Sequence, residues 1–246
     1  MNMAFSYGMH LPAGARPSEW LRQEKGFAGR FSKTVVPVIF NEGLWGVGTT
    51  MYSVFYGRMG DAAVATMGVC TTINDLVWVA IFALMNATAI IVGKALGAGD
   101  RERAYLYAKR MMAGAVAAGV ALGLLVIAVR WPLVNIFSGL SYPVREKAQF
   151  ILMLGALTIW FRAFNTINIV GVLRSGGDTL FSLCLDVGTL WLVGVTSTGL
   201  AALVFHWPLE WVYACTFLEE AVKMAVGIPH FKKKQWMNVL TEQPQG

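Results

Sequence analysis

Charge is scarce in this chain. Asp, Glu, Lys and Arg make up 14% of its 246 residues, well below the roughly 25% of an average soluble domain. A soluble fold needs polar side chains to cover its surface, and here 56% of residues are hydrophobic. Cysteine is rarer still. Cys70, Cys184 and Cys215 lie far apart among apolar neighbours, in neither a CxxC pair nor a zinc pattern. They read as small buried or lipid-facing residues, not as a disulfide framework or a metal site. His10, His206 and His230 lie at segment ends and do not cluster. No GxxxxGK[ST] phosphate loop occurs, since "LGAGD" lacks the Lys–Ser/Thr ending and follows a helix. No catalytic set stands out, which argues against an enzyme and leaves no cofactor to expect.

What is present is long apolar sequence. A bilayer span needs about 20 mostly apolar residues, and candidates fall at 34–56, 62–96, 111–137, 148–173, 180–204 and 207–228. The expected fold is all-α and polytopic, a six-helix transmembrane lobe over 34–230. A basic lead-in (1–33) precedes it and a basic tail (231–246) follows. The lead-in lacks the order of charge, apolar core and cleavage site that a signal peptide has.

Basic residues set the orientation, because Lys and Arg concentrate in cytoplasmic loops. With the N-terminus inside, the inner segments hold Arg16, Arg22, Lys25, Arg30, Lys33, Lys94, Arg101, Arg103, Lys109, Arg110, Arg174, Lys232, Lys233 and Lys234. The outer ones hold Arg58, Arg130, Arg145 and Lys147. Both termini are therefore expected in the cytoplasm. The net charge of +6 suits the anionic inner leaflet and does not make nucleic acid a partner. Trp131 and Trp207 are expected at the outer boundary and Trp236 at the inner one, as aromatic belts.

Two inner loops share their punctuation. "VGKALGAGDRERA" (92–104) and "GVLRSGGDTLF" (171–181) each run from a helix end through a basic residue and glycines to Asp. Gly97, Gly99, Gly176 and Gly177 can close a helix in a left-handed cap. Arg174 suits a helix C-terminus, and Asp100 and Asp178 are good N-caps. The pair reads as tight helix–helix turns or, alternatively, as hinges that move.

The spans also carry polar residues, which cost at least ~2.5–3.5 kcal/mol each if charged at the bilayer centre. They are therefore expected to face the protein interior or a cavity. Glu42 shares a helical face with Trp45, Gly46 and Thr49, leaving Leu44, Val47 and Met51 for lipid. Gly155, Thr158, Arg162, Asn165 and Asn168 recur every three or four residues. Ser182, Asp186 and Thr189 form a shorter stripe, and Thr71, Asp75, Trp78 and Phe82 another. Four striped helices suggest one shared cavity. Alternatively Arg162 pairs with Asp186 or Glu42 and locks the bundle, and Asp186 is satisfied by backbone or Trp191. Glu219, Glu220 and Lys223 read as an i,i+4 arrangement at the inner surface.

"PVIFNEGLWGVG", "YGRMGDAAVATMGV", "AIIVGKALGAGDRERAYLYAKR" and "GVLRSGGDT", in this order, resemble the second half of a multidrug and toxic compound extrusion (MATE) transporter, over about residues 30 to 240. The resemblance implies one lobe of a two-lobed, twelve-helix protein in the plasma membrane. Its implied work is export of organic cations by antiport with H+ or Na+. Glu42 would then be the coupling carboxylate of the first helix. The missing lobe would be a separate chain, an N-terminal half or a second copy. A lipid-linked sugar flippase of related fold, or a membrane protein without transport of its own, are the alternatives. Arg162 as the one basic residue at membrane depth speaks against the flippase.

Overall fold

The computed structural model describes residues 27–137 and 139–238. The first 26 residues, which carry Arg16, Arg22 and Lys25, and the end of the tail lie outside them. The described residues form six helices and no strands: α1 (Phe27–Arg58), α2 (Asp61–Gly97), α3 (Arg101–Asn135), α4 (Tyr142–Arg174), α5 (Thr179–Val204) and α6 (Leu209–Lys232). This is the all-α, polytopic lobe that the hydropathy predicts. α1 starts seven residues ahead of the expected span, taking in residues 27–33 of the lead-in.

Four helices, α2 to α5, are long and apolar enough to cross a bilayer. α1 and α6 fall short of that hydropathy for a visible reason: α6 carries Glu219, Glu220 and Lys223 at its middle, and α1 carries Asn41, Glu42, Thr49 and Thr50.

Small residues set the closest packing. Gly119 on α3 lies against the Trp160 backbone of α4, and Gly123 against the Ala156 carbonyl, so a Cβ at either position would collide with main chain. Glycine at such a seam lets two helix backbones approach, which is how helices associate in lipid. Two apolar clusters lie toward the two ends of the bundle. One gathers Phe55, Cys70, Ile151, Leu152 and Tyr213. The other gathers Val92, Ala108, Ile167, Leu173, Phe231 and Trp236. On α6 the charged residues fall between them. Cys70 and Cys215 are buried, Cys184 is exposed, and all three are free thiols.

The two glycine–aspartate loops have the same backbone. Asp100 N–H donates to the Ala95 carbonyl and Asp178 N–H to the Leu173 carbonyl, each at 3.0 Å. Gly99 (φ 77°) and Gly177 (φ 83°) sit between in the left-handed region. This 6→1 bond over a left-handed residue is a Schellman cap. Asp100 then caps α3, its Oδ1 accepting from Arg103 N–H at 2.9 Å. Asp178 makes no such bond to α5; its carboxylate instead takes His230 Nε2 at 2.6 Å, while the imidazole stacks on Phe181. The expected N-cap at Asp178 is thus a brace to α6.

Trp236 does not sit in an aromatic belt. It is fully buried, packed on Gly176 and stacked on Phe231. Asn238 N–H donates to the Gly176 carbonyl at 2.9 Å. The tail after α6 therefore straps the second glycine–aspartate turn. Trp131 and Trp207 remain exposed.

Candidate functional site

An ion-pair chain links α1, α4, α5 and α6. Arg174 Nη1 donates to Glu42 Oε1 at 2.6 Å, and Nη2 donates to Asn41 Oδ1 at 2.6 Å. The same Nη2 lies 3.6 Å from Asp186 Oδ2. Asp186 Oδ1 in turn takes Lys223 Nζ at 2.9 Å. Lys223 also reaches Glu219 Oε1 at 3.3 Å, and Glu219 Oε2 accepts from the Tyr52 hydroxyl at 2.6 Å. Beside it, Glu220 accepts from Asn165 Nδ2 at 2.8 Å and pairs with Arg162 Nε at 3.5 Å. Glu42 and Tyr52 are ten residues apart on α1, so the chain extends about 15 Å along the bundle.

Local backbone makes this possible. The last eight residues of α4, Ile167–Arg174, follow π-helical i→i+5 bonding, which shifts the side-chain phase and is often found at functional sites. α5 widens in the same way at Leu190–Val195 and Leu200–Val204. Gly194 in the first of these segments faces Glu219 Oε2 and the Tyr52 hydroxyl, and any Cβ there would overlap both.

The structure redraws several expectations. Arg162 pairs with Glu220, not with Asp186 or Glu42, and its guanidinium lies 5.3 Å from the Trp78 ring centre. Asp186 is satisfied by Lys223 and Arg174; the Trp191 indole N–H goes to the Leu44 carbonyl at 3.1 Å. Glu219, Glu220 and Lys223 are not at a surface but buried at mid-helix, at 6%, 7% and 4% exposure. The i,i+4 pair between Glu219 and Lys223 does form. Arg174 is a hub of the network in addition to ending α4.

The inward face of α1 is that of Asn41, Gly48, Tyr52 and Phe55, one position away from the expected one. Glu42 and Trp45 are exposed, and half-buried Thr49 bonds back to the Gly46 carbonyl at 3.0 Å. Met51, expected toward lipid, packs on the core. Asn165, Asp186 and Arg162 join the network as inward residues. Asp75 does not: it is exposed with Thr71 and Phe82, and of that stripe only Trp78 meets the network. The fourth contributor to the polar interior is therefore α6 instead of α2. Sequence reasoning passed over Asn41 and Tyr52, and misplaced Glu219, Glu220 and Lys223.

Several buried polar atoms border this network without a protein partner: Asn41 Nδ2, Asn165 Oδ1, Arg174 Nε, and both amide atoms of Asn168. Such atoms are costly when unpaired. Counting the paired groups, Glu42, Asp186, Glu219 and Glu220 face Arg162, Arg174 and Lys223, an excess of one negative charge.

The family model MatE matches residues 37–198 of the chain. No protein of curated function matches it by sequence. Among solved structures, a MATE protein crystallised in complex with MaD3S superposes with a TM-score of 0.79 at 14% identity, over 94% of this chain and 52% of that one. The Vibrio cholerae MATE transporter VcmN gives 0.76 at 20% identity, over 88% and 48%. A MOP superfamily transporter from Pyrococcus furiosus, described as having a binding pocket of reverse polarity, gives 0.76 at 14%, over 90% and 48%. The chain spans about half the length of these structures.

Proposed function

Since the chain belongs to the MatE family, we propose that it forms one lobe of a transporter exporting organic cations in exchange for H+ or Na+. In this reading it lies in the plasma membrane with both termini cytoplasmic. It works with a second six-helix lobe, whether a separate chain, a preceding half or a second copy.

The observation that carries the reading is the continuous ion-pair chain from exposed Glu42 to buried Glu219. Glu42 is held by an internal cation, the Arg174 guanidinium. An entering organic cation competes for the same carboxylate, with exposed Trp45 one turn away to stack on it. When Glu42 releases Arg174, Asp186 is the nearest carboxylate to receive it, and Lys223 then leans on Glu219. Occupancy at the open face is thereby felt inside the lobe. The unpartnered oxygen of Asn165, whose amide nitrogen is bonded to Glu220, is of the type that holds a small hard cation.

A flippase remains the second reading, and one observation favours it more than the sequence did. Arg174 and Lys223 stand inside the lobe beside Arg162. Each is matched by carboxylates, however, and the surplus is negative, which favours a cationic cargo.

The test is transport in proteoliposomes holding the chain with its second lobe. An imposed H+ or Na+ gradient should drive ethidium uphill, and a lipid-linked sugar should not be flipped. Ethidium flux that ignores both gradients, or flipping of the sugar, would overturn the reading.

A further inference from the structure

A second site lies away from the ion-pair chain, on the outside of the bundle between α3 and α6. Tyr105, Lys109, Met112, Ala113 and Val116 recur along α3 at a spacing that puts them on one side of the helix. They face Ile228, Phe231 and Lys232 of α6, with Phe164 of α4 between. Together these residues line a cleft of about 350 Å³, within the size range of small-molecule sites.

The cleft divides by polarity along its length. Met112, Ala113, Val116, Phe164 and Ile228 make an apolar floor. Lys109 and Lys232 stand at the end that carries the two inner turns, both exposed and with no ion-pair partner among the described residues. The nearest acidic group on these elements, Glu102, already pairs with Lys234 at 3.4 Å. Lys234 also lies 4.5 Å from the Tyr105 ring centre. The two cleft ammoniums are therefore not neutralised, and Arg110 and Lys233 beside them add to the field. The wall is fixed in place, because Phe231 is stacked between Tyr105 at 5.0 Å and Trp236 at 5.7 Å.

We propose that this cleft binds one anionic phospholipid, its headgroup phosphate on Lys109 and Lys232 and an acyl chain on the floor from Met112 to Val116. Basic pockets between membrane helices at the headgroup level take anionic lipids. Lys109 and Val116 are seven residues apart, about 10 Å along the helix, so the charged mouth and the apolar floor match the boundary between headgroup and chain. A free phosphate ion would satisfy the lysines and leave the floor unused, whereas a zwitterionic lipid would fill the floor and leave two positive charges unmatched. The bound lipid bridges α3 to the end of α6 and shores up the tail strap. This site does not depend on the antiport reading.

The experiment is native mass spectrometry and thermal unfolding of the purified full-length chain, titrated with phosphatidylglycerol, phosphatidylcholine or inorganic phosphate. Phosphatidylglycerol should give one retained adduct and raise Tm, and the other two should give neither. The double variant Lys109→Gln/Lys232→Gln should weaken the adduct at least tenfold. Lys94→Gln, exposed at the same end, should leave it intact. Ala113→Trp, which fills the floor and keeps both charges, should also remove it. Equal retention of phosphatidylcholine, loss with Lys94→Gln matching loss with the double variant, or retention in Ala113→Trp would each overturn the proposal.

Discussion

Arg174 and Glu42 are 132 positions apart and meet at 2.6 Å. Their pairing joins the end of α4 to α1 and places a cation of the protein's own on an exposed acidic side chain. Charge-assisted bonds of this length are roughly twice as strong as neutral ones. Yet Glu42 is exposed, so the pair can open to a competitor. The same guanidinium touches Asn41 and Asp186, which makes it the joint between the open face and the interior.

Lys223 is the innermost cation of the chain. Replacing it with Met leaves Glu219 buried without a counter-charge and Asp186 with only the 3.6 Å contact to Arg174, and removing one partner of a buried pair typically costs about 3–5 kcal/mol. The expected outcome is a sharp loss of folded, monodisperse protein by fluorescence-detected gel filtration. Adding Glu219→Gln should restore part of it. Full yield of Lys223→Met alone would mean the carboxylates are not charged partners of this lysine.

Much of this architecture is legible in the sequence, because long apolar runs and Gly–Asp punctuation act locally. Hydropathy marks six helices, and the two turns follow from glycines at the only positions whose φ is left-handed within them. Asn165, Arg162 and Asp186 are recognisable as inward because a polar residue on an apolar helix has few other places to go. Partner choice is not legible. An i,i+4 Glu–Lys pair looks the same on a wet surface as in a core, so the burial of Glu219 and Lys223 depends on which helices surround α6. Periodicity puts Glu42 on the face with Trp45 and Thr49, but packing of Gly48 against Leu190 turns the Asn41 face inward instead. The widening of α4 at Ile167–Arg174 adds a phase shift that a 3.6-residue count does not contain.

For Arg162, removal of the side chain should lower stability, and by less than a fully buried pair because a third of the side chain is exposed. Arg162→Ala should be partly rescued by Glu220→Gln. Neutralising Asp186 or Glu42 should not rescue it. Rescue by Asp186→Asn in a thermal-shift cycle would contradict the observed pairing.

Tyr52, Gly194 and Glu219 form one unit. Tyr52→Phe removes a hydrogen bond to a carboxylate, about 1.5–3 kcal/mol, and Gly194→Ala displaces both partners of that bond. Each single variant should lower Tm, and the double variant should fall well short of the sum, since they disturb one interaction. Additive shifts would show that Gly194 acts elsewhere.

The two glycine–aspartate turns separate glycines that are needed for conformation from one that is not. Gly99→Ala and Gly177→Ala force a left-handed residue, at about 1–2 kcal/mol each. Gly97 is helical with open space around it, and Gly97→Ala should be stabilising by about 0.5–1 kcal/mol. Thermal unfolding of the three variants should give Tm changes of opposite sign. Similar changes in all three would refute the shared Schellman geometry.

The most direct test of the account is gradient-driven ethidium export by the chain, assembled with its second lobe, before and after Glu42→Gln. Glutamine keeps the size and hydrogen-bonding capacity that Arg174 needs but removes the charge that a cation seeks. The account predicts normal folded yield and membrane insertion, with coupled export abolished. Export by Glu42→Gln at the parental rate, with the same dependence on the H+ or Na+ gradient, would contradict it.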